Sequence, residues 1–197
     1  MIYRGGSKGS RYYELLALCQ RRHSTRAFLD QPLTAEQINK IKSVAMTSPY
    51  ASGKKNWEII VITEKDTIAQ MAQAVDTRVN IIATEIHQDY SDGFRNYAKN
   101  FVTFAAAPAL FIPAYRSKPL LSMMLNNNNN EIEIFERDNY VKSISCVSML
   151  VLLAAESLGL GACYMTGPLL AEKSLSPFIN LKPGYSIGAL IPVGYAK

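Results

Sequence analysis

The chain has 197 residues, 48% of them hydrophobic, with 21 Lys and Arg against 16 Asp and Glu for a net charge of +5. That is enough apolar material for a globular domain with a real core, and it excludes general disorder. The basic residues are scattered rather than massed, which suits an anionic small ligand or an ordinary solvated surface better than a tracker of nucleic-acid backbone.

Cys19, Cys146 and Cys163 form no CxxC, and His23 and His87 are the only histidines. A disulfide framework, a zinc site and a histidine-rich metal centre are therefore disfavoured. The opening MIYRGGSKGSRYY has basic residues with no apolar core behind them, so it does not read as a secretory signal, and a reducing cytoplasm is the simplest home. Residues 12–20 set Tyr13, Leu15, Leu16, Leu18 and Cys19 at helical spacing. After the basic cluster Arg21-Arg22-His23-Ser24, Thr34 with Gln37 three positions on forms a capping box that starts a helix over 35–46. Ser48-Pro49 ends it, because a residue before proline is pushed out of the α region.

The run WEIIVIT, residues 57–63, is β-branched and nearly continuous, the pattern of a strand covered on both faces. Helix is expected over 66–75 and again over 80–104, with a break near Ser91-Asp92-Gly93. A second strand over 109–114 follows Pro108. Residues 117–137 include the run Asn126 to Asn130; asparagine is a poor former of helix and strand, so a mobile loop is expected.

From about Asn139 to Leu158 the chain reads as a helix apolar nearly all round, hence central, with Gly159 as its C-cap. Its most apolar stretch, 146–155, is shorter than the roughly 20 residues a bilayer span needs. A strand over 161–165, a turn at Thr166-Gly167-Pro168, a helical piece over 169–175 and a last strand over 186–193 complete the pattern. Helices interleaved with about four to five short strands, without repeat or linker, predict an α+β (α/β-like) fold: one sheet with helices packed on it, in a single domain over 1–197.

Three segments hold ligand-binding chemistry. In RRHSTRAF, residues 21–28, Arg22 and Arg26 bring fixed cationic forks and Ser24 a hydroxyl, in a loop where they can converge on a phosphate monoester; on composition alone such a cluster is more often solvated surface. In SPYASGKKNW, residues 48–57, Ala51, Ser52 and Gly53 would let backbone amides approach a flat ligand, although a plain connecting loop reads the same. In GLGACYMTGP, residues 159–168, glycines stand at a strand's carboxyl end, where ligands usually sit. The GxGxxG spacing is missing, so a dinucleotide fingerprint is not present. Ser24 has no paired acid or glycine elbow, which disfavours a serine hydrolase. Cys163 reads as a small buried hydrophobe, and His23 as a polar contact more readily than a base.

In this order the segments resemble the nitroreductase family of FMN enzymes, over about Tyr12 to Ala196. The likeness is carried by Arg22-x-Ser24-x-Arg26, by Ser48-Pro49 with small residues before Trp57, by the long apolar helix leading into Gly159-Leu160-Gly161-Ala162-Cys163, by Met165-Thr166-Gly167-Pro168, and by Pro192-Val193-Gly194-Tyr195. It implies a mostly antiparallel central sheet, a homodimer, and two FMN sites shared across the interface. It further implies that Arg22, His23 and Ser24 hold the FMN phosphate and ribityl chain, with Arg26 near the phosphate or the pyrimidine edge. Lys99 and Asn100 would contact that edge. Tyr164, Met165, Thr166 and Gly167 would lie over the flavin, with an amide of Thr166 or Gly167 facing N5, while Tyr50, Ala51, Ser52 and Gly53 would reach the partner's flavin. Residues 117–137 correspond to the substrate lid of relatives.

The implied reaction passes reducing equivalents from NADH or NADPH to a small organic acceptor such as a nitroaromatic or quinone. The flavin carries the chemistry, so no catalytic side chain, metal, nucleic acid or membrane is implied. The sequence departs from the family where a polar Asn and Gln-Pro-Trp are common, having Gly53 and Lys55-Asn56-Trp57 instead; Lys197 stands where relatives continue with basic residues toward the phosphate. The same fold hosts flavin fragmentation, dehalogenation and ring dehydrogenation, and a non-catalytic flavin binder is a further reading. A nucleic-acid module ranks last, because WEIIVIT and ALFIPA lack interleaved aromatic and basic residues.

Overall fold

The strand read at 57–63 forms as β1 (Trp57–Ile62) and pairs antiparallel with β2 (Ala109–Arg116), from Trp57 opposite Tyr115 to Ile62 opposite Leu110. The computed structural model describes residues 8–51, 56–118, 120–125 and 130–197. Beyond β2 the sheet continues through β5 (Ile191–Gly194) to β3 (Gly161–Ala162), with β4 (Tyr185–Ile187) also on β2. All the pairings of this five-stranded sheet are antiparallel. The α+β expectation holds.

Helices cover both faces. On one, α2 (Ala35–Ala45) and α6 (Asn130–Ser157) bring Ile41, Ile144, Val147 and Val151 against Phe111 and Ile191. On the other, α3 (Lys65–Glu85) and the 3-10 turns of Lys99–Ala106 bring Ile68, Met71, Val75 and Phe104 against Leu110, Ile112 and Leu190. β2 is thus the strand buried on both sides, whereas β1 keeps Ile60 and Val61 partly open. Alternation explains the split, since neighbours on β2 serve opposite cores.

Local signals account for most boundaries. Thr34 accepts from the Gln37 amide at 3.2 Å and Gln37 reaches back to the Thr34 amide at 2.9 Å, the expected capping box of α2. Gly159, with φ of +72°, ends α6 as expected, letting Leu160 donate to the Ala155 carbonyl at 3.0 Å.

Several expectations are corrected. α1 (Lys8–Arg21) begins earlier than read. The break within 80–104 falls at Ile86-His87, where the His87 ring accepts from the Asp89 amide; Ser91, Asp92 and Gly93 lie inside α4 (Gln88–Ala98), with Asp92 and Gly93 exposed and the Ser91 hydroxyl donating to the Ala83 carbonyl of α3 at 2.7 Å. The region 117–137 is not loop throughout: α5 (Leu120–Met124) forms, and α6 starts at Asn130 rather than near 139, with Glu131 and Glu133 complementing its first turn. Asn126 to Asn129 lie outside the described residues. At 28 residues α6 is long and apolar enough to cross a membrane by length and composition, which the shorter reading denied it; here it packs on α2, β2 and β3.

The last strand, read as 186–193, is divided. Between the pairs Ile187–Ala114 and Ile191–Phe111 it advances four residues while β2 advances three, a bulge opposite Pro113. Gly188 donates to the Pro113 carbonyl at 2.7 Å, and a Cβ there would stand 2.8 Å from Ile144. The strand read at 161–165 is likewise reduced to Gly161–Ala162, with Met165 bridging Leu190 beyond it. The helical piece at 169–175 is 3-10 over Gly167–Ala171 and α only over Glu172–Leu175 (α7).

Candidate active site

The basic strip after α1 is held as an extra edge along β3. Ser24 bridges Ala162 in parallel, and the Thr25 amide donates to the Ala162 carbonyl at 3.0 Å. Thr25 is buried against Gly161, where a Cβ would lie 2.5 Å from its Oγ1; this glycine permits the close approach. The His23 ring turns toward the Arg21 carbonyl and the Thr25 hydroxyl. Alternation along the strip sets Arg22, Ser24 and Arg26 on the other side. Arg21 pairs with Glu156 at 3.5 Å, while Arg22 and Arg26 form no ion pair among the described residues.

Where the chain leaves β3, a cavity of about 150 Å³ opens, lined by Arg26, Asn100, Phe101 and the backbone run from Cys163 to Pro168, with Tyr97 at its edge. Arg26 is the charged residue in this lining among the described residues. Cys163 and Met165 donate to Pro192 and Leu190, so the intervening Tyr164 and Thr166 amides point to the opposite edge. Gly167 lies under Phe101, whose ring would stand 2.3 Å from any Cβ there. Tyr97 meets that ring edge-on at 5.1 Å. A larger groove between α2 and α6, lined by Glu36, Lys40, Ser157 and Leu158, lies away from these residues.

The structure therefore brings Arg26, Asn100, Tyr164, Met165, Thr166 and Gly167 together, with Arg22 and Ser24 on the adjoining strip. It does not bring in Lys99, whose ammonium bonds Asn96 at 3.3 Å, nor Lys197, which sits in a separate cleft with Asp30 and Lys65. Tyr97, Phe101 and Cys163 line the cavity although the sequence reading gave them no such role. The pair Tyr97 and Phe101 was detectable as aromatics four apart on a helical stretch.

Tyr50 and Ala51 lie elsewhere. The Ala51 amide donates to Ser143 Oγ at 3.2 Å, which is about 20 Å along α6 from the end that feeds β3. The Tyr50 ring turns into its own chain, stacked on Tyr140 at 6.4 Å and tilted against Trp57 at 6.2 Å. Burial, then Tyr140, Tyr115 and Tyr185, push its phenol well above the ordinary tyrosine range. Burial first raises Tyr115 and Tyr140 as well. The Tyr50 hydroxyl and the Trp57 indole N–H are buried without a hydrogen-bond partner among the described residues. Ser52 and Gly53 lie outside the described residues.

The model of the nitroreductase family matches residues 19–195. Protein DrgA of Synechocystis sp. is 25% identical over 190 residues, covering 90% of this chain and 81% of that protein. A BluB-like flavoprotein from Clostridium difficile 630 superposes with a TM-score of 0.83 at 23% identity, over 93% of this chain and 90% of its own. A nitroreductase with bound FMN from Desulfitobacterium hafniense superposes with a TM-score of 0.71 at 17% identity, over 93% and 89%. With the sheet, the basic strip and the glycine-floored cavity in the expected order, and a family match over most of its length, this chain belongs to the nitroreductase family.

Proposed function

We propose that the protein is an FMN-dependent oxidoreductase that passes reducing equivalents from NADH or NADPH to a small organic acceptor such as a nitroaromatic or quinone. It works as a cytoplasmic, single-domain homodimer with two shared sites. The observation that carries this reading is the cavity beside the basic strip: one face is glycine and backbone, and the other carries the Arg26 guanidinium, which forms no ion pair among the described residues. Flat ligands need the first and phosphate esters the second.

Arg22 and Ser24 would hold the phosphate and ribityl chain, and Asn100 with the Thr166 and Gly167 backbone would border the isoalloxazine. Bound FMN supplies hydride acceptance and donation. Arg26 would set a fixed cation against the negative charge that reduction places on the cofactor. At about 150 Å³ the cavity is smaller than the roughly 300 to 1,000 Å³ of ordinary ligand sites. A second copy, presenting its loop at 50–53 and α5 as lid, would supply the remaining walls. Tyr12, Tyr13 and Leu15 on α1 and Phe135, Val141 and Met149 on α6 are exposed, a surface suited to such an interface.

The test is the visible spectrum of the purified protein, mass analysis of the ligand released by heat, and turnover of NADH or NADPH with an added quinone. Flavin bands with about one FMN per chain and quinone-dependent turnover are expected. A colourless protein that takes up no FMN would sink the proposal, whereas FMN without turnover on any acceptor would point to another reaction on the same fold.

A further inference from the structure

Two segments that lie far apart in sequence, the loop around Tyr50 and the short helix α5, meet α6 on neighbouring turns at Glu136 and Tyr140, with Ser143 beyond them holding the Ala51 amide. Glu136 is only 8% exposed. Its carboxylate accepts the Leu120 amide at 3.0 Å and the Leu121 amide at 2.9 Å, the latter through both oxygens. These are the leading N–H groups of a five-residue helix, too short to be stable on its own. One turn further along α6, Tyr140 stands near enough to the same carboxylate for Glu136 to help raise its phenol, after burial, and stacks on Tyr50 with an interplanar angle of 14°. Spacing by four places both on one side of the helix.

What this pair holds is apolar. α5 packs on α6 and presents Leu121, Met123 and Met124, the last 76% exposed, with Leu125 exposed just beyond. Unbranched methionines adapt to varied ligand shapes, and the helix Leu120–Met124 carries no charge.

We infer that Glu136 and Tyr140 are positioning residues. They lock α5 to the Tyr50 loop, so that α5 stands as an apolar wall on the acceptor side of the site and favours uncharged over charged acceptors. This rests on the function proposed above for what the wall faces; the locking itself does not.

The experiment uses the full-length, FMN-loaded protein and its Glu136→Ala, Glu136→Gln and Tyr140→Phe variants. It reads hydrogen exchange over 120–125, FMN affinity, and kcat/KM for an uncharged quinone against a sulfonated one. Glu136→Ala is expected to speed exchange at Leu120 and Leu121 by about tenfold or more. The preference for the uncharged quinone should fall by about fivefold, through KM, with FMN affinity within about twofold of the parent. Glu136→Gln keeps an acceptor oxygen and the shape, so it should recover part of both; it also serves as the test if the alanine variant does not fold. Tyr140→Phe should lower the preference while α5 stays protected. Unchanged exchange in the Glu136 variants, or faster exchange with an unchanged preference, overturns the inference. A parent protein that binds no FMN overturns the proposed function instead, and the exchange result still decides whether Glu136 holds α5.

Discussion

The cavity beside β3 and the Tyr50 end of α6, which the proposed dimer would join in one site, are built differently. The cavity is made from backbone: sheet hydrogen bonds fix residues 162–165, the basic strip is laced to Ala162, and Gly161 and Gly167 admit Thr25 and Phe101 at distances no Cβ would allow. The floor of such a place is set once the sheet forms. The Tyr50 end is made from side chains, and it buries a phenol hydroxyl and an indole N–H with no partner among the described residues. Native interiors pair nearly all such groups, and in the proposed dimer a second copy would supply the partner.

The largest expected effect tests the backbone-built half. Gly167→Ala drives a methyl to 2.3 Å from the Phe101 ring, an overpacking worth about 1 to 3 kcal/mol. It should also tilt the cavity floor enough to abolish stoichiometric FMN, as seen by calorimetry and the flavin spectrum. A variant of normal stability that still binds FMN would show that the floor is not where the cofactor lies. If the two halves do meet across a dimer, mixing Gly167→Ala chains with chains whose loop at 50–53 is replaced by a bulky sequence should regenerate one intact site per mixed dimer. About a quarter of parental turnover is then expected from two inactive proteins; no recovery on verified mixing would place both halves in one chain. Smaller still, Arg22→Ala should weaken FMN by about ten- to a hundredfold, the worth of a charged hydrogen bond, and the loss should shrink for riboflavin, which lacks the phosphate.

The same contrast explains what the sequence disclosed. Thr34 with Gln37, Gly159 and the run from Trp57 to Ile62 are local signals whose physics is settled within a few residues, and each appears where expected. The strip at Arg22 to Arg26 and the turn at Tyr164 to Gly167 were legible because spacing alone fixes which residues lie together. The bulge opposite Pro113 was not, since it depends on a proline in another strand. Nor was the inward turn of Tyr50, which depends on Tyr140, ninety positions on. Nor was α5, whose first amides are taken by a carboxylate from another helix rather than by its own sequence.

The smallest effect distinguishes a half-site from a mere packing fault. Tyr50→Phe keeps the stack on Tyr140 and removes the unpartnered hydroxyl, so in the isolated chain it should raise stability by about 1 kcal/mol at neutral pH. Tyr50, Tyr115 and Tyr140 all hold phenols above the ordinary range, chiefly through burial. Their raised folded-state values mean that the stability they contribute is fully present below about pH 10, the unfolded tyrosine value, and is lost as pH climbs through the folded ones. Denaturant midpoints of the parent should therefore fall above pH 10, and those of Tyr50→Phe should fall less. Should Tyr50→Phe instead lose stability at neutral pH, and lose more at protein concentrations that favour dimers, the hydroxyl would have a partner in the second copy.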